Sequence, residues 1–242
     1  MFAITLILCP YILASADNSY IATLSSVKGE VAVDLDSQDR WDPGEVGIEL
    51  KSNSKIKTGE NSYADIVFGK DKQNMVTLGD ETTLSLNTVS SINLLEGKIL
   101  AAIKKVSPKS KFEVRTPSAV CGIHGSLVGI KVFGSITKFL IFKGKADIQS
   151  LDMDGNPLER ALEIKGGWKS IVSEGKDPYK PAKLDKSDEQ IWEEIFETNI
   201  KTEAKIEKEE VAEMPEEEKE EVVYIKEEPL EPERPEASPY KP

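Results

Sequence analysis

Between Tyr20 and Val172 apolar residues recur at alternate positions in short runs, and Gly, Asn, Asp, Lys or Pro interrupts those runs roughly every eight to twelve residues. A period of two places the apolar side chains on one side of an extended strand, and turn residues at that interval leave no room for long helices. In "SYADIVF" the residues Ala64, Ile66 and Phe68 share a face, in "TTLSLN" Leu84 and Leu86 do, and in "SLVGIKVF" Val128, Ile130 and Val132 do. No part of this region sustains the helical period of about 3.6 residues. The pattern predicts an all-β fold, many short antiparallel strands in a sandwich or β-roll-like domain over residues 17–180, with one face of each strand built for burial.

Three short segments, "VKGEV" around Gly29, "LEGKI" around Gly97 and "FKGKA" around Gly144, each set a charged-Gly-charged step between apolar residues. Their unequal spacing excludes a regular solenoid, so each glycine is expected at a bulge or a corner where a strand bends. "DMDGNP" is expected to be a hairpin turn in which Asp154 and Gly155 supply positive dihedrals.

The two ends of the chain follow another grammar. Residues 1–16 read as a signal peptide: an apolar run too short to span a bilayer, then Ala14-Ser15-Ala16, with cleavage expected before Asp17. The mature chain would then be periplasmic or secreted, would have no transmembrane helix, and would keep Cys121 as its sole cysteine, so its core rather than disulfides must hold it. Residues 186–213 are expected to form one amphipathic helix, with Ser187 as N-cap, Gln190 completing a capping box, and Ile191, Trp192, Ile195 and Phe196 on one stripe. These four are the partner-binding candidates; docking on the chain's own β-domain and insertion into another protein's groove both remain open. Residues 214–242, rich in Glu and Pro, are expected to be a disordered tail. From Asp185 onward 21 acidic residues face 8 basic ones, so the tail accounts for the net charge of −12 and the body is nearly neutral. Such a body offers no clustered Lys and Arg for nucleic acid.

The order "ATLSSVKGEVAV", "LKSNSKIKTGENSYADIVF", "VTLGDETTLSLN", "LLEGKI", "FEVRTPSAVCGIHGSLVGIKV", "TKFLIFKGKADI" and "IKGGWKSIV" resembles the FecR domain, the periplasmic module of ferric-citrate-type signalling regulators. Thr116, Pro117, Ala119, Gly122 and Gly125 match its most specific block, while His124 stands where the family usually has Arg and Ser126 where it usually has Thr. Imidazole cannot reproduce the guanidinium fork, so no role that depends on the fork carries over. Full regulators of this kind have a cytoplasmic segment and membrane helix before the domain and a further small domain after it, so the expectation here is a stand-alone periplasmic form.

Read as chemistry, Cys121-x-x-His124 offers two ligands where zinc needs three or four, and i and i+3 on a strand point to opposite faces. Cys121 is expected in the core and His124 at a strand end or turn, as structural members of the block. "DLDSQDRWDPGE" echoes a calcium loop, but Asp39 occupies the place of the required glycine and Pro43 interrupts it, so a solvated loop is expected. No metal, cofactor or enzyme chemistry is expected. The resemblance implies a non-enzymatic signalling or binding module of the cell envelope that takes a protein or envelope ligand. The alternative is a structural scaffold recruiting partners through its C-terminal helix and acidic tail.

Overall fold

In the computed structural model, which describes residues 20–69, 72–104, 111–190, 192 and 195, the alternating runs become seventeen strands. They are β1 (Ala22–Lys28), β2 (Val31–Asp34), β3 (Asp42–Pro43), β4 (Glu49–Leu50), β5 (Lys55–Thr58), β6 (Tyr63–Phe68), β7 (Asn74–Leu78), β8 (Thr83–Thr88) and β9 (Ser91–Ile103). After these come β10 (Phe112–Arg115), β11 (Ala119–Ile123), β12 (Leu127–Phe133), β13 (Ile136–Lys143), β14 (Lys145–Leu151), β15 (Pro157–Lys165), β16 (Trp168–Ser173) and β17 (Ala182–Lys183). One short helix, α1 (Lys186–Gln190), is described after them. The expected signal peptide at 1–16, the tail at 214–242 and most of the helix, Ile191 and Phe196 included, lie outside the described residues.

The strands pair into two sheets that share β9. The first runs β4-β1-β6-β7-β9-β12-β13-β16-β17. The second runs β3-β2-β5-β8-β9-β10-β11-β14-β15, and its β9–β10 contact is the one parallel pairing among the described strands. The fold is therefore all-β, a sheet rolled into two layers. One core lies between them, with Leu24, Ile66, Ile99, Ile130 and Phe139 from the first sheet meeting Val33, Ile56, Leu84, Val114, Cys121 and Ile148 from the second.

The three charged-Gly-charged steps are where the chain crosses between layers. Gly29 joins β1 to β2, Gly97 bends β9 in mid-strand and Gly144 joins β13 to β14, with φ of 78°, 88° and 81°. Each glycine packs on a hydroxyl at a neighbouring crossing, which a Cβ would strike: Ser62, Thr82 and Ser126 respectively. That hydroxyl accepts the N–H that follows the glycine, from Glu30 at 2.8 Å, Lys98 at 2.9 Å and Lys145 at 2.8 Å. The residue before each hydroxyl has a positive φ too: Asn61 at 52°, Glu81 at 48° and Gly125 at 66°. The weak sequence repeat thus marks a structural one, three hydroxyl-pinned corners that set the bend of the roll.

Three expectations need correction. Strand β6 is buried along its whole length rather than on one face, with Tyr63, Asp65 and Val67 inaccessible as well as Ala64, Ile66 and Phe68, because the outward face of the first sheet is covered too. In the "DMDGNP" turn only Gly155 has a positive φ, at 79°; Asp152 closes the turn by accepting the N–H groups of Asp154 at 2.9 Å and Asn156 at 2.7 Å, so Asp154 needs no left-handed backbone. The N-cap of α1 is Asp185, not Ser187. Asp185 Oδ1 accepts from the Asp188 N–H at 3.1 Å and Asp188 Oδ2 accepts from the Asp185 N–H at 3.1 Å, a reciprocal capping box two residues earlier than expected.

Candidate functional site

The block from Thr116 to Ser126 is a hairpin followed by a corner. Pro117 takes the turn position where a φ fixed near −65° is favoured, and the Thr116 N–H donates to the Ala119 carbonyl at 2.8 Å to close β10 onto β11. Beneath the turn Thr137 Oγ1 donates to Thr116 Oγ1 at 2.9 Å, and Ser118 Oγ lies 2.8 Å from Thr137 Oγ1 and donates to the Val172 carbonyl at 3.2 Å. All three hydroxyl residues are buried, so this network ties the hairpin to β13 and β16. Ala119 is buried, and Gly122 carries the Lys111 side chain across it, where a Cβ would come within 2.6 Å of Cδ.

Cys121 lies in the core of β11, and burial first, then the Asp147 charge, pushes its thiol well above the ordinary range. It is a small apolar core residue, inert as a nucleophile. His124 stands on the turn after it, and its Nε2 donates to Asp147 Oδ2 at 2.8 Å, both side chains about one-third exposed. Cysteine and histidine are not brought to one site. The imidazole instead fastens the Gly125–Ser126 corner to β14, a single donor where the family's usual Arg has a fork. Asp147, 23 residues away, carried no signal of this pairing in the sequence.

The acidic loop is stapled from within. Asp34 is buried, and its two carboxylate oxygens accept the N–H groups of Gln38 at 3.2 Å and Asp39 at 3.0 Å. Among the described residues no group of three or more His, Cys, Asp or Glu is arranged to hold a metal.

Two apolar surfaces lie outside the core. The first is the outward face of the first sheet, where Trp192 and Ile195 pack with Tyr63, Leu100 and Leu140. Both are 1% exposed, so these two partner-binding candidates are occupied by the chain's own sheet. The sheet is shaped for them: a Cβ on Gly129 would lie 3.2 Å from the Trp192 ring, and one on Gly79 would lie 3.0 Å from Ile195 Cδ1. Phe142 meets Trp192 edge-on, with ring centroids 6.3 Å apart. The start of the helix is anchored by Asp188, whose buried carboxylate accepts from Lys138 Nζ at 2.6 Å and from Lys169 Nζ, which also reaches Asp185 at 2.8 Å. Burial raises the Asp188 carboxyl, but donation from Lys138 and Lys169 outweighs it and holds the group below the ordinary carboxylate range. In sequence Asp188 signalled only a helix start; neither lysine signalled anything.

The second surface is a groove of about 410 Å³ where the two layers part, lined by Glu163, Ile164, Lys165, Trp168, Lys180 and Pro181. Trp168 remains 37% exposed there.

Residues 54–147, from the start of β5 into β14, match a family model described as FecR protein. The matched run contains two of the three corners and the whole hairpin block with its His124–Asp147 contact. Two crystal structures of a candidate anti-sigma factor from Parabacteroides distasonis are similar at 16% identity, with TM-scores of 0.45 and 0.44, over 57% of this chain and 63% of theirs. The chain thus spans less than two-thirds of that protein's length. No curated protein matches the chain. The chain therefore carries a segment, residues 54–147, that matches the FecR family, with two of the corners and the Thr-Pro hairpin inside it.

Proposed function

We propose that the chain is an exported, non-enzymatic signalling or binding module of the cell envelope, working in the periplasm or outside the cell on a protein or envelope ligand. The observation that carries this reading is the FecR match over residues 54–147. The export-type pattern at 1–16 and the neutral body with its acidic C-terminal end agree with it. The polar groups of the matched block support a structural role rather than catalysis: the hydroxyls of Thr116, Ser118 and Thr137 satisfy one another, and the Cys121 thiol is held protonated. The scaffold reading needs the stripe containing Trp192 and Ile195 to be free for recruitment, and both residues are already buried.

The test is fractionation of cells expressing the full chain, mass measurement of the mature protein, and chemical cross-linking in intact cells. A chain starting at Asp17 in the periplasmic or extracellular fraction, with a discrete envelope adduct, is the expected result. An intact Met1 in the cytoplasm, or a mature protein that forms no adduct, overturns the reading.

A further inference from the structure

Sheets end in edges, and an edge strand presents unpaired N–H and C=O groups to any extended chain that reaches it. This fold has four. Three are strands of two residues, β3, β4 and β17. The fourth, β15, runs nine residues from Pro157 to Lys165 and pairs, among the described residues, with β14 alone. Glu159, Arg160, Ala161, Glu163 and Lys165 are exposed, so no described residue covers this edge.

Beside its C-terminal half lies the groove of about 410 Å³ with Trp168 and Pro181. The charges around it are not balanced. Glu163 is engaged by Lys145 Nζ at 2.9 Å, whereas Arg160, Lys165 and Lys180 have no ion-pair partner among the described residues. Arg160 is exposed and falls in the stretch where the β14–β15 register shifts, between Ala161 opposite Gln149 and Pro157 opposite Leu151, and a charge at such an irregularity discourages edge-to-edge association of like copies. The same guanidinium rewards a strand that brings a carboxylate opposite it.

We propose that β15 is a docking edge for an extended segment of a partner protein in which acidic and apolar residues alternate. The segment continues the second sheet by backbone hydrogen bonds, seats an apolar side chain against Trp168 and Pro181, and sets its carboxylates toward Arg160, Lys165 and Lys180. This deepens the function proposed above by naming the surface a protein partner uses, and it rests on that reading for its biological meaning.

The probe is a synthetic peptide of about eight residues alternating Glu and Val, the length of a strand that matches β15. Calorimetric titration of the full mature chain is expected to show binding that weakens about tenfold or more in three cases. These are N-methylation of alternate peptide residues, which deletes the backbone donors, the Lys165→Glu, Lys180→Glu double variant, and Trp168→Ala. The substituted side chains are wholly or partly exposed, so a cooperative melting transition within about 4 °C of the parent's checks that the variants fold. Absence of binding by the unmodified peptide, equal binding by the N-methylated one, or indifference to charge reversal overturns the proposal. So does a dimer in sedimentation that Arg160→Glu dissociates, since the edge would then belong to a second copy. If the β15 variants leave the envelope adduct intact, the docking edge is wrong while the function stands; if the peptide binds a chain found only in the cytoplasm, the function is wrong while the edge stands.

Discussion

Trp192 and Trp168 both lie outside the core of the rolled sheet, and the fold treats them in opposite ways. Trp192 is 1% exposed, set over Gly129 beside Phe142, two residues beyond α1, whose start Asp188 and its two lysines fix. Trp168 is 37% exposed and its outer neighbour is the two-residue strand β17. The two indoles have the same apolar surface to hide. What differs is the receiving surface: two glycines, Gly79 and Gly129, let Ile195 and Trp192 approach the outward face of the first sheet, while no described residue at the β15 and β17 edge covers Trp168 to the same extent. Coverage of an apolar residue is decided by what it can reach.

The substitution that strikes this contrast hardest is Trp192→Ala. It empties a fully enclosed aromatic site and is expected to cost about 3–5 kcal/mol, a fall in Tm of roughly 6–20 °C for a domain of this size. Gly129→Ala, whose Cβ would sit 2.9 Å from the Phe142 ring and 3.2 Å from Trp192, is expected to cost about 1–3 kcal/mol and to lose part of that cost when Trp192 is already Ala. Thermal unfolding of the two single variants and the double variant gives the coupling. Strict additivity would mean that Trp192 is not seated on Gly129, and the comparison would fail.

An intermediate effect is expected from acid. The Asp188 carboxyl is depressed below its ordinary value of 3.8, so its contribution is fully present above that value and is lost as pH falls through the lower value of the folded state. Asp185, lowered by hydrogen bonds from Lys169 and then Ser187, acts in the same direction. The helix seat is therefore expected to loosen below the ordinary carboxylate range, read as a change in Trp192 fluorescence in the Trp41→Phe, Trp168→Phe background. In Asp188→Asn this acid step should be largely absent; its persistence unchanged would remove Asp188 from the account.

The smallest effect belongs to Trp168→Ala. With a third of the side chain already in water and one face toward an open groove, the expected cost is about 1 kcal/mol or less. A loss as large as that of Trp192→Ala would show that the two surfaces are not different in kind.

Much of this architecture was legible beforehand. The alternation in β6, β8 and β12 named residues that fill the core and the charged-Gly-charged steps named the three corners, while the Thr-Pro block was legible as a family match and not as a hairpin. The partners were not legible. Gly29 is pinned by Ser62, and the Glu30–Ser62 bond spans 32 residues; the Lys138–Asp188 bond spans 50. Serines and lysines are common residues whose sequence neighbours do not announce such roles, and the capping box at Asp185 escaped because Ser187 and Gln190 offered an equally good local pattern two residues later.

By itself the sequence determined which residues are extended, which side of each strand is apolar and where the chain must turn, because a period of two and the backbone freedom of glycine are local properties. Only the tertiary structure decided that the first sheet is covered on both faces, that His124 meets Asp147 instead of Cys121, and that β15 has one paired edge among the described strands. Those outcomes depend on the register in which distant strands pair and on the small residues that let Trp192 and Ile195 approach, and register is fixed by the whole core at once rather than by any segment of it.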